Sequence, residues 1–578
     1  MARRSGAVHV VTTRRTYKDK VYETHLLRRS VREGDTVKNE TLGNLSHLPD
    51  HLIDLIRRVL KGEAFAPVSQ LFEATGSLLH GHVQAVRTAM GHLEFDSLIA
   101  SQRSRQRDLV CAMVAGRILA PHTKLATTRW WHTTTLAEEF DVTDANEDDL
   151  YAAMDWLLER QGAIEKKLAA RHLGEGSLVL YDLSSSYFEG TTCPLAKLGH
   201  DRDGKKGKLQ VNYGLLTDRC GCPVAVSVYD GNTNDAKTLM PQVDKLKKDF
   251  GIQTLVLVGD RGMISQKAID ELKDHDGIAW ITALKTMQIR ALVEGGQLQL
   301  GLFDEKNLFE LSHPDFAGER LIACRNPELA KLRTHKRQSL LEATEKELAK
   351  VKGMVERGRL GGRDAIGVRV GKVVNKYKVS KHFVLDIEEH RFAFHRLEDN
   401  IAQEAALDGI YIIRTSLAKK QMTADDCVRS YKSLAQVERA FRSLKTIDLK
   451  IRPIHHHLAD RVRSHIFLCM LAYYVEWHMR EAWRPLLFAD EDQLAKTTRD
   501  PVAPAKRSAA AEAKAASHRL DDGTPAHSFA TLQQELATIV RNTCRAPNAG
   551  NEAPTFNITT IPNPKQRRAF ELLNAIHL

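Results

Sequence analysis

Apolar residues along this chain follow two rhythms, an alternation that marks strands and a recurrence every three or four positions that marks helices. Residues 7–45 alternate: Val8-His9-Val10-Val11, Val21 to Leu27 and Thr36-Val37-Lys38 are strand-like runs, separated by basic turns at Arg14-Arg15 and Arg28-Arg29. They predict a small basic β-hairpin module. Leu52, Ile53, Leu55, Ile56, Val59 and Leu60 then define an amphipathic helix that stops at Gly62, closing a first domain, 1–62, suited to binding DNA. From about 76 to 172 the rhythm is helical, with Arg103, Arg105 and Arg107 leading into Leu109 to Leu119. This second domain, 63–174, is compatible with a helix-turn-helix and equally with a plain helical, DNA-binding or dimerising region.

At Ser177 the pattern turns to short strands. Leu178 to Asp182, Leu209 to Thr217 and Pro223 to Tyr229 read as three antiparallel strands, the last two joined by the Asp218 to Gly221 turn. A helix capped by Asp235 follows, then a strand Leu255 to Asp260, a helix Ile264 to Leu272 and a strand Ile278 to Leu284. The fold class is therefore α/β, and βββαβαβ is the ribonuclease-H-like order, which sets the strand ending in Asp260 beside the one ending in Asp182. Residues 175–285 form the first part of this core. Residues 286–408 read as an insertion, mostly β with one helical arm from Pro327 to Met354 and strand-like stretches at Leu298 to Leu311 and Gly371 to Leu385. The core resumes over 409–480 with the strand Gly409 to Arg414. Residues 481–578 are an Ala/Lys/Pro-rich linker, a helix, and a Pro/Asn-rich extension that ends helical.

The stretch Tyr431 to Lys445 lacks Gly and Pro and reads as one helix, with Thr423 and Asp426 upstream as a variant capping box. Tyr431, Glu438 and Lys445 are spaced seven and seven, so they share a face, and Arg442 joins it four residues after Glu438. Leu434, Val437, Phe441 and Leu444 form the apolar stripe beside them. Taken alone, this is more often the pattern of a surface salt-bridge ladder than of a metal or phosphate site.

Composition narrows the partner. In 578 residues, Lys+Arg 84 against Asp+Glu 73 leaves +11, spread along the chain, which favours a polyanion and nucleic acid first. Eight scattered cysteines frame neither a disulfide scaffold nor a zinc site, and the one close pair, Cys220 and Cys222, reads as part of a turn. The start, Met1 to Gly6, has no apolar signal core, and the longest apolar run, Ile466 to Val475, is too short for a bilayer, so a cytoplasmic protein bound to no membrane is expected.

Asp182, Asp260 and Glu438 are the candidate catalytic and metal-binding carboxylates. Clustered carboxylates repel one another unless cations sit between them, and two Mg²⁺ or Mn²⁺ ions about 3.5–4 Å apart are the usual solution for phosphodiester chemistry. The segments Tyr181 to Gly190, Tyr229 to Thr233, Gly259 to Met263 and Tyr431 to Lys445, over roughly 175–480, resemble a DDE-type insertion-sequence transposase. That group carries a Tyr, Arg, Glu, Lys signature. Tyr431, Glu438 and Lys445 match it, Leu434 stands where the Arg is expected, and Arg439 or Arg442 is the candidate replacement. The resemblance implies a metal triad of Asp182, Asp260 and Glu438, with Tyr431 and Lys445 positioning a DNA-end phosphate. Arg202, Lys205, Lys206, Lys208 and Arg261 are candidate phosphate contacts, or else a solvated basic loop.

The implied activity is cleavage at the ends of the element and transfer of the 3′-hydroxyls to target DNA, by a homodimer or higher oligomer holding double-stranded terminal repeats and target. The alternatives are a catalytically silent DNA-binding derivative and a nuclease of the same fold that only hydrolyses.

Overall fold

A computed structural model describes residues 6–18, 20–33, 36–63, 71–547 and 553–577; the start Met1 to Ser5 and part of the Pro/Asn-rich extension, 548–552, lie outside them. The chain divides into two compact units, Met1–Ser77 with Arg541–Thr559, and Leu78–Val540 with Thr560–Leu578.

In the first unit, β1 (Val8–Tyr17), β2 (Lys20–Glu33) and β3 (Thr36–Asn44) form an antiparallel sheet in that order. Helix α1 (Asp50–Leu60) buries Ile53. Its Arg57 contacts Thr12 of β1, which hydrogen-bonds the His25 ring of β2 at 2.8 Å. A second sheet joins β4 (Glu73–Leu79) to strands Val540–Arg545 and Thr555–Thr559. Those late strands replace the extension expected there, because their short, polar sequences become strands only through pairing across hundreds of residues.

The second unit begins with helices α2 (Gly81–His92), α3 (Arg105–Leu119), α4 (Glu147–Leu158) and α5 (Gln161–His172). Ser104 caps α3, and Asn146 with Asp149 forms a capping box on α4. The arginines that lead into α3 are engaged within the protein: Arg103 with Asp108 at 2.8 Å and Arg105 with Asp144 at 2.9 Å.

The central sheet has eight strands. Strands β5 (Ser177–Tyr187), β6 (Gln210–Thr217) and β7 (Pro223–Asp230) form an antiparallel meander. Helix α6 (Leu239–Asp244) leads to β8 (Leu255–Val258), and α7 (Gln266–Lys273) to β9 (Ile278–Ala283). β8 pairs parallel with both β5 and β9. Strands β10 (Leu308–Leu311) and β11 (Arg320–Arg325), expected within a separate insertion, extend this same sheet, giving the order β10-β11-β14-β9-β8-β5-β6-β7, where β14 is Ile410–Thr415.

Between β11 and β14 the arm is a helical hairpin, α8 (Pro327–Glu356) and α9 (Arg363–Tyr377), carrying a two-stranded ribbon of β12 (Phe383–Ile387) and β13 (Phe392–Arg396). The expected strand at Gly371 to Leu385 is thus mostly helix. Its valines mimic a strand, but Ile366, Val370 and Val374 recur every four residues and pack on Leu348 and Val351 of α8.

After β14 come α10 (Ala424–Lys432), α11 (Leu434–Arg442) and α12 (Ala459–Ala482). Helix α12 is buried nearly all round, against α3, α4 and β7. No single helix among the described residues is long and apolar enough to cross a membrane.

Candidate active site

The register of two parallel strands brings the first two acids together. Leu180 of β5 is paired with Val258 of β8, and two residues further along each chain stand Asp182 and Asp260. β8 stops at Val258, whereas β5 runs on to Tyr187, paired only with β6. Asp182 therefore lies inside a strand rather than at its end, but at the level where its neighbour has ended, which leaves that flank open. Asp260 Oδ1 accepts hydrogen bonds from the backbone N–H groups of Gly262 (2.9 Å) and Met263 (2.8 Å), which fix the turn, and buried Met263 and Ile264 anchor it. Asp182 Oδ1 accepts from its neighbour, the Leu183 N–H, at 2.8 Å.

The third acid arrives on α11. This helix buries Val437, Ala440 and Phe441, the last edge-on to Tyr213 of β6 at 5.8 Å, and this turns Glu438 outward. The β6–β7 turn closes tightly on the same helix: Gly221 has φ +88°, and a Cβ there would lie 2.7 Å from Gln436 Cβ, so only glycine fits. The Asp182 carboxyl is pushed up to about 7, chiefly by burial; Asp260 and Glu438 add to the rise, while the Leu183 N–H and Arg202 oppose it. The Tyr431 hydroxyl is pushed up to about 12, by burial first and then by Asp260, with Glu438 and Asp182 contributing and Arg261 opposing. The fields of all three carboxylates thus meet around Asp182 and Tyr431. Among the described residues none of the three forms an ion pair within 4 Å.

Tyr431, Glu438 and Lys445 do not stand on one continuous helix. Ser433 interrupts between α10 and α11, and Ser443–Ile447 is a widened π turn, so a spacing of seven no longer makes two turns. Thr423 caps α10 by accepting from the Asp426 N–H, and its hydroxyl donates to the Asp426 side chain at 2.7 Å. Lys445 is buried and its ammonium donates to Asp203 at 2.8 Å; Arg452 contacts the same carboxylate. Burial raises the Asp203 carboxyl, but Lys445 and Arg452 outweigh it and hold the group below its ordinary range. Arg202 is clamped by both oxygens of Asp235, each at 2.6 Å. Lys205 lies over the Tyr187 ring, Lys208 pairs with Glu189 at 2.9 Å, and Lys206 is exposed on the same loop. Arg439 and Arg442 are exposed on α11, and the charge of Arg439 acts on Tyr473 of α12.

Two family models match the chain. Residues 177–475 match the transposase DDE domain, and residues 10–69 match the IS1634 family transposase N-terminal domain. The chain belongs to the insertion-sequence DDE transposases. No curated protein matches it in sequence. Among solved structures, a cryo-EM structure of the piggyBac transposase synaptic complex with hairpin DNA aligns over 79% of this chain and 79% of that one, at 8% identity and a TM-score of 0.34, a likeness too slight to carry an argument.

The matched DDE domain of this transposase contains Asp182, Asp260, Glu438, Tyr431, Arg202 and Arg261, which the structure brings together, along with Lys445. Sequence reasoning missed Asp203, the partner of Lys445, and Arg452, which contacts the same carboxylate. The available signal was an acid embedded in the basic run Arg202 to Lys208, and an arginine seven residues after Lys445.

Proposed function

We propose that this transposase cleaves phosphodiester bonds at the ends of its insertion element and joins the freed 3′-hydroxyls to target DNA, using Asp182, Asp260 and Glu438 to hold two Mg²⁺ or Mn²⁺ ions. The observation that carries this reading is the convergence of three carboxylates from β5, the β8 turn and α11, with no neutralising ion pair among the described residues. The donor set fits: hard oxygen ligands suit Mg²⁺ and Mn²⁺, and bound cations would offset the burial, and the lesser repulsion by Asp260 and Glu438, that raise Asp182. When bound, such ions activate the attacking oxygen and steady the leaving one in an in-line displacement.

The protein's own residues supply position and charge. Asp260 is preset by two backbone hydrogen bonds, Glu438 faces outward where a DNA strand has access, and the Tyr431 hydroxyl, which feels the charge of all three acids, can orient a phosphate. Lys445, Arg452, Arg202, Arg261 and the exposed loop bearing Lys205, Lys206 and Lys208 offer cations to the strand backbone, and Arg439 or Arg442 substitutes for the signature Arg absent at Leu434. The strand order β7-β6-β5-β8-β9 is the ribonuclease-H-like order, and the basic first unit is read as a DNA-binding module. Two ends must be held together, so the working form is a dimer or larger.

The test is incubation of the full chain with a duplex containing its element's ends, Mn²⁺ and a plasmid target, followed by mapping of cut strands and joined products. Cutting and joining that are both lost in Asp182→Ala and Asp260→Ala, with end binding retained, support the proposal. Cutting without joining identifies a nuclease, and end binding without cutting in the unaltered protein identifies a silent derivative.

A further inference from the structure

A second cluster of ligating side chains lies outside the carboxylate site. His172 is the last residue of α5, Cys222 follows the β6 turn and directly precedes β7, and His478 lies on α12. Cys222 and His478 are buried and His172 is half-buried. Cys222 Sγ is 3.8 Å from His478 Nε2 and 4.0 Å from His172 Nε2, and the three ligand atoms all lie within 4.8 Å of one another. A tetrahedral Zn²⁺ with bonds of about 2.3 Å to sulfur and about 2.05 Å to nitrogen places S and N about 3.6 Å apart, so each sulfur–nitrogen pair needs to close by only a few tenths of an ångström, while the two nitrogens, now within 4.8 Å of each other, would settle about 3.3 Å apart.

We infer that His172, Cys222 and His478 form a binding site for a thiophilic divalent cation of the Zn²⁺ class, distinct from the carboxylate site. The donor chemistry separates the two: one thiolate and two imidazoles select Zn²⁺ or Co²⁺ over Mg²⁺, while three carboxylates do the reverse. The fourth position falls to water or to the Tyr474 hydroxyl, which lies 3.1 Å from His172 Nε2. Ligation requires the thiolate and neutral imidazoles, so binding displaces the Cys222 proton into solvent.

The site would join three elements distant in sequence: the end of the helical region, the meander and the buried helix α12. Gly221, the residue before Cys222, abuts Gln436, two residues before Glu438, so an ion here braces the turn on which α11 rests. The ion is structural, and it does not depend on the proposed DNA chemistry.

Metal-stripped full-length protein titrated with Co²⁺ tests this inference. One equivalent should produce a thiolate-to-cobalt charge-transfer absorption, release one proton, and be displaced by Zn²⁺. The absorption should vanish in Cys222→Ser, fall at least tenfold in apparent affinity in His478→Gln, and persist in Cys220→Ser and in Asp182→Ala. The unaltered protein settles the matter even if a variant fails to fold. Absence of the charge-transfer band in it overturns the proposal, as does a band that survives Cys222→Ser and disappears in Cys220→Ser.

Discussion

The Lys445 ammonium donates across 2.8 Å to the Asp203 carboxylate, linking the turn after the Glu438 helix to the loop before β6. Asp203 is nearly buried, at 3% side-chain exposure, and also contacts Arg452, so one acid balances two cations at the edge of the carboxylate cluster.

Replacing that acid should therefore destabilise the fold. Asp203→Asn leaves Lys445 and Arg452 uncompensated, and the urea midpoint should fall by the equivalent of about 3 kcal/mol at pH 7. The Asp203 carboxyl is held below its ordinary range, so its contribution is present above the unfolded pKa near 3.9 and lost as pH falls through the folded value. The gap between Asp203→Asn and the parent should accordingly close in acid. An unchanged midpoint at pH 7 would show that the pair contributes nothing.

Asp182 predicts the opposite pH dependence. Its folded pKa, about 7, is above the unfolded one, so the ionised carboxyl destabilises the metal-free protein increasingly from about pH 4 to 7, and fully beyond. Asp182→Asn should raise the thermal midpoint at pH 8 by several degrees and leave it nearly unchanged at pH 4. For the same reason, apparent Mn²⁺ affinity of the parent should climb with pH up to about 7 and then level off, which calorimetric titration would follow.

Glu438→Gln keeps the shape of the side chain and removes its charge. It should leave end binding within about twofold and cut strand cleavage by roughly a thousandfold or more, because Glu438 lies at the exposed side of the cluster and supports no packing. Cleavage retained at the parent rate would remove Glu438 from the site.

On β14, Arg414 holds Glu319 through two contacts of 2.6 Å, with both side chains under 5% exposed. Arg414→Met should cost about 3–5 kcal/mol by stranding a buried carboxylate, and adding Glu319→Leu should recover most of it. Urea unfolding of the single and double variants measures the difference. Equal loss in both would assign the effect to packing alone.

The strands and helices of residues 177–284 were readable because their apolar runs are short, bounded by turns and satisfied mostly by near neighbours. The Val-rich stretch of α9 was misread, since β-branched residues suit a strand until a partner helix supplies the surface they pack on. Asp203 stood out locally only as an acid in a basic run, and its partners could not be read, because its role exists through Lys445 and Arg452, both more than 240 residues away. The same distance hid the His172, Cys222 and His478 cluster from any spacing rule.

Local sequence, then, determined the carboxylates, the outward aspect of Glu438 and the basic character of the first unit, since side-chain chemistry and helical periodicity act over a few residues. Tertiary structure alone decided that β5 outruns β8 and leaves Asp182 level with Asp260, that the Tyr431 to Lys445 stretch breaks at Ser433 and widens after Arg442, and that Lys445 turns to Asp203. Strand register and long-range ion pairs are set by how remote surfaces fit together, and that information is distributed over the whole chain.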